Sequence, residues 1–449
     1  MLSKNQQLPL VCHSLGSNFQ GICHHEGMVV FVSGLLPEEQ ALCQILKVKK
    51  RFAYAKVVSL ISSSPFRAEP PCAYYPKCGG CSGQHMTYPY TLHWKTQQVK
   101  ECFSHIAGVD IQVQPTLGMN DPWQYRNKTA MPIGGEPGAV VTGFYAPRSH
   151  RIIDIEQCLV SQHPANQALQ SVKAWANQYQ VAPYNEQEHS GLLRHLFVRV
   201  SKKGKTMVAL ISKEKDIPFL AELIASLQAT VQGLACVGVI HQPKATNVIL
   251  GDHYTPLWGE ERLEDHIFDQ VFSLSPLSFF QINPLQTETL YRLALAYADL
   301  KGDETVADLY CGAGTISLLL ATKAKKVLGI EQVPSAVEDA KENAIRNGIS
   351  NVEFHLGDAE KVLPELVSKG FSPDVVVVDP PRKGMDEVVV HALIHLRPKR
   401  IVYISCDPAT QARDTKILLE GGYTVTACQP VDMFCWTGSI ENILRLEAL

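Results

Sequence analysis

No stretch of about 18 consecutive apolar residues occurs in this 449-residue chain, which excludes a membrane-spanning helix. Met1–His13 has no basic stretch followed by an apolar core and a small-residue cleavage site, so no secretory leader is expected. A surplus of one charge sign is missing as well. The 41 Lys and Arg face 44 Asp and Glu, a net charge of -3, which excludes a uniformly basic nucleic-acid coat but leaves room for a local basic face. Internal repeats and low-complexity tracts are absent. With 45% apolar and 19% charged residues, disorder throughout is excluded. A cytoplasmic protein is expected. At about 100–200 residues per domain the length points to two to four domains.

Cysteine is the exception to this plain composition. There are 13, an odd number, and without an export signal a disulfide framework is not expected. Buried thiols, a metal site and a catalytic cysteine remain, and spacing must separate them.

Residues 1–59 read as short strands, notably Val29–Val32 and Ala41–Val48, separated by Gly34 and Pro37. Lys47, Lys49, Lys50, Arg51 and Lys56 cluster with no acid among them, giving a small β-barrel one basic edge. Residues 62–71 read as a Ser/Pro-rich linker. A helix is expected over 90–106 with Leu92, Val99, Phe103 and Ile106 on one face. From 125 to 250 the pattern is mainly strand, interrupted by helices at 164–178 and 217–227. Beyond about residue 284 a helix leads into strand–loop–helix alternation, which implies a parallel sheet covered on both faces.

Cys72, Cys78 and Cys81 form C-x5-C-x2-C, with Gly79-Gly80 inside the tighter pair. Glycines permit the sharp bend that lets two thiolates grip one metal or cluster. Cys158, after the strand-like Ile152–Ile155, is the candidate fourth ligand. Zinc and an iron–sulfur cluster both accept four thiolates, and the spacing does not separate them.

Asp308–Thr315 follows the first strand of the alternating region and contains Gly312-Ala313-Gly314. Such glycines let a ligand approach the backbone at a helix N-terminus. Glu331 ends the next strand, where a carboxylate can take both ribose hydroxyls. Asp358 follows the third, where it can meet an adenine amino group. An acid after each of three successive strands is the layout of S-adenosylmethionine sites. A dinucleotide site needs a third glycine, and Ser317 stands in its place.

Asp379-Pro380-Pro381-Arg382 ends the fourth strand, and Cys406 ends the fifth; both face the crevice of an open sheet. An aromatic after Asp-Pro-Pro would indicate amino methylation, and Arg382 argues against it. Cysteine suits uracil. Carbon-5 of that ring is too poor a nucleophile until a thiolate adds at carbon-6 and moves charge onto carbon-5. A base must then take the carbon-5 proton, and Glu441 is the available carboxylate.

With these residues together the chain resembles the RNA uracil-5-methyltransferases, most closely the iron–sulfur branch acting on 23S ribosomal RNA. The resemblance spans nearly the whole length. Gly21, Gly27 and Val29–Val32 look like a TRAM domain. The four cysteines, with Gln84-His85, resemble a four-cysteine motif, which implies [4Fe–4S] rather than zinc. Tyr125–Lys128 and Phe144–Ile155 look like the central domain. Phe279–Asn283 resembles the entry to the catalytic domain, which implies that Gln281 contacts the cofactor and Phe279 lies by the target base. Tyr310, Glu331 and Asp379 match cofactor positions, and Asp379 would also approach the uracil edge. Ser405–Asp407 with Pro408-Ala409-Thr410 matches the nucleophile motif. One segment departs. The family's Pro-His-Thr-x-His-Val-Glu is here Cys435-Trp436-Thr437-Gly438-Ser439-Ile440-Glu441, so the Glu stays while both histidines are absent.

The resemblance implies a multidomain fold: a TRAM-like, OB-like β-barrel (1–59), a β-rich central domain with a metal cluster (60–258) and an α/β Rossmann-like class I methyltransferase domain (259–449). The expected activity is S-adenosylmethionine-dependent methylation of uridine in 23S ribosomal RNA by a monomer. The alternatives are a catalytically impaired ribosome-assembly factor and the same chemistry on transfer RNA. Up to residue 259 there are 23 Lys and Arg against 16 Asp and Glu, a net +7; beyond it there are 18 against 28, a net -10. The basic half is where RNA is expected to bind.

Overall fold

The computed structural model describes residues 2–449. Five strands, β1 (Gln7–Gly16), β2 (Gln20–His25), β3 (Met28–Ser33), β4 (Gln40–Val48) and β5 (Phe52–Ser62), close into a barrel in the order β1-β2-β3-β5-β4. Alternation fills its interior: Leu8, Leu10 and Cys12 of β1 meet Ala41, Cys43 and Ile45 of β4, all buried. Cys12, Cys23 and Cys43 are therefore core residues. The five expected bases are all exposed, on β4, on β5 and in the turn between them.

Helix α1 (Tyr88–Cys102) joins the barrel to the last sheet of the chain. Its Trp94 packs on Phe19 of the barrel at 4.4 Å between ring centroids, while Val99 lies in the core under that sheet. Val99 and Phe103 are buried as expected, but Ile106 is exposed and Ala107 is buried instead. The cause is a π-turn over Phe103–Ala107, whose i→i+5 bonds shift the buried face by one residue.

The middle of the chain supplies β6 (Lys128–Glu136), β7 (Ala139–Tyr145), β8 (Ile152–Asp154), α2 (His163–Gln178), β9 (Leu193–Val200), β10 (Thr206–Ser212), α3 (Leu220–Thr230), β11 (Leu234–His241) and β12 (His253–Gly259). The strands form one sheet, β12-β11-β10-β9-β6-β7-β8, in which only β10 and β11 run parallel. Helices α2 and α3 share a core with it.

A hairpin, β13 (Leu263–Ile267) and β14 (Gln270–Leu274), precedes α4 (Pro284–Ala298). Then come β15 (Thr305–Leu309), α5 (Thr315–Ala321), β16 (Lys326–Glu331), α6 (Pro334–Arg346), β17 (Val352–Leu356), α7 (Ala359–Ser368), β18 (Val375–Val378), α8 (Glu387–Leu396), β19 (Arg400–Ser405), α9 (Pro408–Glu420), β20 (Tyr423–Val431) and β21 (Glu441–Ala448). The sheet order is β17-β16-β15-β18-β19-β21-β20. The first five strands are parallel, as expected. β20 runs the same way, and β21, inserted between β19 and β20, is antiparallel to both, because residues 432–440 join it to β20 by a loop too short for a crossover. The strand order reverses between β15 and β18, and an open sheet offers its ligand crevice at such a point. Among the described residues no helix is long and apolar enough to cross a membrane.

Candidate active site

The crevice at the reversal holds two hollows that meet at Tyr310. One, of about 380 Å³, is lined by Phe279, Gln281, Asp308, Gly312 and Asp379 among others. The other, of about 370 Å³, is lined by Glu331, Asp358 and Lys383 among others. Tyr310 lines both and takes φ +67°, an uncommon conformation for a bulky residue, which turns the chain sharply off β15. Gly312 and Gly314 continue the turn at φ +55° and +79°. Both oxygens of Glu331 are oriented by backbone: Gly312 N–H donates to Oε2 at 3.0 Å and Val333 N–H to Oε1 at 2.8 Å. Each oxygen keeps a free lone pair. Asp358 precedes α7, and its carboxylate pairs with Lys361 at 2.6 Å. Ser317, in the position of the missing third glycine, donates to the buried Asp308 carboxyl at 2.5 Å.

Asp379, Cys406 and Glu441 are neighbours, brought together from the ends of β18, β19 and β21. Burial pushes the Asp379 carboxyl up to about 7. Burial and then Asp379 push Glu441 well above the carboxylate range, while Arg382 pulls it down. The Cys406 thiol is pushed up to about 11 by burial, Glu441 and Asp379, again against Arg382. The Cys406 thiol is thus un-ionised near neutral pH, burial and Asp379 raise the proton affinity of Glu441, and the charge that opposes both shifts is the Arg382 guanidinium.

The central sheet presents the segment that covers this crevice. Arg199 of β9 is fully buried and donates to the carbonyls of Ser275 and Ser278 at 2.8 and 2.7 Å. Asn127 holds the carbonyls of Gln281 and Ile282 at 3.2 and 2.8 Å. Asn283 then caps α4. Between these anchors Phe279 stands exposed, with the Lys128 ammonium 5.9 Å from its ring centroid. Burial lowers the Lys128 pKa to about 8.

Cys72, Cys78, Cys81 and Cys158 line one hollow of about 550 Å³, together with Tyr75, Arg126 and Phe144. All four are free and half-buried. Their charges would repel: Cys78 is raised by burial and by Cys158 and Cys72, and Cys81 to about 12 by burial, Cys158 and Cys78. Among the described residues no three His, Cys, Asp or Glu side chains approach closely enough to hold a single metal ion. Four thiols thus line one hollow, and zinc and an iron–sulfur cluster both accept such donors.

Residues 87–448 match the model of the tRNA (uracil-5-)-methyltransferase family, and residues 12–58 match the TRAM domain. The chain belongs to the tRNA (uracil-5-)-methyltransferase family. Its class is that of S-adenosylmethionine-dependent RNA uracil-5 methyltransferases. Similar proteins include an uncharacterized RNA methyltransferase of Clostridium tetani, 45% identical over 99% of this chain and 97% of that protein, and one of Halalkalibacterium halodurans, 43% identical over 99% and 98%. The crystal structure of the Pyrococcus abyssi tRNA (uracil-54, C5)-methyltransferase in complex with S-adenosyl-L-homocysteine is similar with a TM-score of 0.78 and 26% identity, covering 98% of this chain and all of that one.

For this methyltransferase the structure adds two residues to those read from the sequence. Arg382 is the cation that acts on Cys406 and Glu441; the sequence offers it only as an argument against amino methylation. Lys128 stands at the mouth beside Phe279, and its only sequence signal was its place in Tyr125–Lys128.

Proposed function

We propose that this protein transfers a methyl group from S-adenosylmethionine to carbon-5 of a uridine in 23S ribosomal RNA, through a covalent bond between Cys406 and carbon-6. The observation that carries this reading is the grouping of Cys406, Asp379, Glu441 and Arg382 beside the crevice. The two hollows that meet at Tyr310, the oriented Glu331 carboxylate and the left-handed glycine turn suit an adenosyl group with an amino-acid tail. S-adenosylmethionine, when bound, supplies the methyl group and a sulfonium charge.

The residues divide the remaining work. Cys406 gives its proton to solvent and its sulfur adds to carbon-6, helped by the Arg382 guanidinium. The ring electrons move onto carbon-5, which takes the methyl group. Glu441 then removes the carbon-5 proton; those electrons restore the carbon-5–carbon-6 double bond as the carbon-6–sulfur bond breaks. A carboxylate whose proton affinity is raised by burial is a stronger base for that step. The target uridine is flipped out of the RNA to reach Cys406, with Phe279 beside it.

On this reading Cys72, Cys78, Cys81 and Cys158 would hold a [4Fe–4S] cluster; what supports it is that the four thiols line one hollow. No step needs an electron, so the cluster is structural. Residues 1–59 and 60–258 form the RNA-binding parts, residues 259–449 are catalytic, and the enzyme acts as a cytoplasmic monomer. The full-length likeness to a tRNA (uracil-54, C5)-methyltransferase favours transfer RNA as a second reading. The assembly-factor alternative loses its motive, since the altered segment still delivers Glu441 to the site.

RNA carrying 5-fluorouridine tests both chemistry and target. Fluorine does not leave as a proton, so a denaturation-resistant complex should form with 23S fragments and not with transfer RNA, and Cys406→Ala should abolish it. No complex with either RNA, or unchanged methylation by Cys406→Ala, overturns the mechanism. A complex with transfer RNA alone moves the substrate.

A further inference from the structure

The loop that delivers Glu441 is held by a helix from another part of the chain. Val431 pairs with Glu441 across β20 and β21, so residues 432–440 are the loop that this pair closes. Lys95 of α1 reaches into it. Its ammonium donates to Asp432 Oδ1 at 2.5 Å, to the Ser439 carbonyl at 2.7 Å and to the Phe434 carbonyl at 3.1 Å. An ammonium has three protons, and these contacts engage all of them. Tyr88, two turns earlier on α1, donates to Asp432 Oδ2 at 2.6 Å. Lys95 and Asp432 are both fully buried.

A buried ammonium is costly to desolvate, and the same loop held by apolar contacts would avoid that cost. What the ion pair provides is direction. One charge fixes the carbonyls at both ends of the Phe434–Ser439 turn, and the second of those is two residues before Glu441. No histidine occurs in residues 431–441 to do this from within the loop. Trp436 is held separately, by its indole N–H on the Pro122 carbonyl at 3.1 Å and by stacking on Trp123 at 4.8 Å. Within the loop the Thr437 hydroxyl links the same two residues, donating to the Phe434 carbonyl at 2.9 Å and accepting from the Ser439 N–H at 3.3 Å; Lys95 adds a buried charge from outside that ties both carbonyls to α1.

We infer that Lys95, clasped to Asp432, is a positioning residue for proton removal by Glu441: it sets where the base enters the site while touching neither RNA nor cofactor. The inference rests on Glu441 being the base. With the clasp loosened, Cys406 still adds to carbon-6 and carbon-5 still takes the methyl group. Glu441 then fails to collect the carbon-5 proton, the carbon-6–sulfur bond stays intact, and methylated RNA remains attached to the protein.

The test uses the full-length protein, ordinary uridine RNA and methyl-labelled S-adenosylmethionine. Lys95→Met leaves the Asp432 carboxylate buried without its cation, so Lys95→Met/Asp432→Asn removes both charges and keeps a partner for Tyr88. Expected in either variant that folds is turnover reduced at least about tenfold, single-turnover methyl transfer within about threefold of the parent, and labelled methyl accumulating in a denaturation-resistant RNA–protein complex. Asp432→Asn alone, which leaves both carbonyl contacts in place, should accumulate less. Turnover within threefold of the parent overturns the inference. So does a parallel fall of turnover and methyl transfer without a complex, which marks a clasp that only maintains the fold. Glu441→Gln is the control: if it accumulates no complex, the assignment of the base has failed; if it does and the clasp variants do not, only this inference has failed.

Discussion

Asp379 lines the hollow of Gln281 and Gly312 and neighbours Cys406 and Glu441, and burial pushes its carboxyl up to about 7. An acid raised in this way is neutral below that pH and charged above it. S-adenosylmethionine carries a sulfonium charge, and S-adenosylhomocysteine does not. The preference for the charged ligand should therefore grow as the carboxylate appears, by up to about tenfold between pH 6 and pH 8. Calorimetric titration with both ligands measures the ratio, and Asp379→Asn should flatten it. Asp308 lines the same hollow and also titrates at about 7, so Asp308→Asn shows how much of the slope belongs to it. A ratio independent of pH in the parent protein would refute the electrostatic role. That Cys406, Asp379 and Glu441 come together was legible in the sequence, because strand ends of an open sheet converge on one crevice. Arg382 was visible but its role was not, since the groups it opposes arrive on other strands. Lys95 and Asp432, 337 positions apart, leave no pattern that one sequence displays.

At the scale of elements the alternating region was legible, because buried parallel strands such as Val375–Val378 read as short apolar runs between helices. Strands β12 and β13 were not. β12 is mostly exposed, and β13 carries Glu264, Asp265 and His266 between its two apolar ends, so neither shows a clear alternation of apolar and polar residues. The cysteine hollow belongs at this scale, since it joins elements. Cys81 and Cys158 pack against Tyr125, Cys435 and Trp436, and the N–H groups of Ser82 and Gly83 donate to the Trp436 carbonyl at 2.9 and 3.0 Å. A ligand bound there stabilises only the folded chain. Anaerobically purified protein should be brown, with iron and sulfide in equal amounts. Oxidative removal of the cluster, or Cys81→Ser, should remove the colour and lower Tm by about 10 °C. Colourless protein containing zinc, or metal-free protein with unchanged Tm, would show that these four thiols hold no cluster.

For the whole molecule the near-zero net charge hides a division of labour. The barrel and central sheet carry the positive surplus, and the catalytic part carries the negative one. RNA is a polyanion, so the first half attracts it while the acidic half repels any binding that bypasses the crevice. Arg148, from the loop after β7, lies over the Tyr54 ring of the barrel at 5.6 Å, so the loop after β7 brings a further base against the barrel. Each phosphate neutralised releases counterions, and the logarithm of affinity falls with the logarithm of salt by about 0.7 per contact for single strands. Lys49, Lys50 and Arg51 are exposed in one turn and touch no part of the active site. Replacing all three by Gln should lower the salt slope of RNA binding by about 2 and weaken binding most at low salt. Cofactor affinity should stay unchanged, because no residue of that turn lines either hollow. Filter binding across a salt series supplies the slope. An unaltered slope would move the RNA path off the barrel and onto the central sheet, whose Lys128 stands 5.9 Å from the ring centroid of the exposed Phe279.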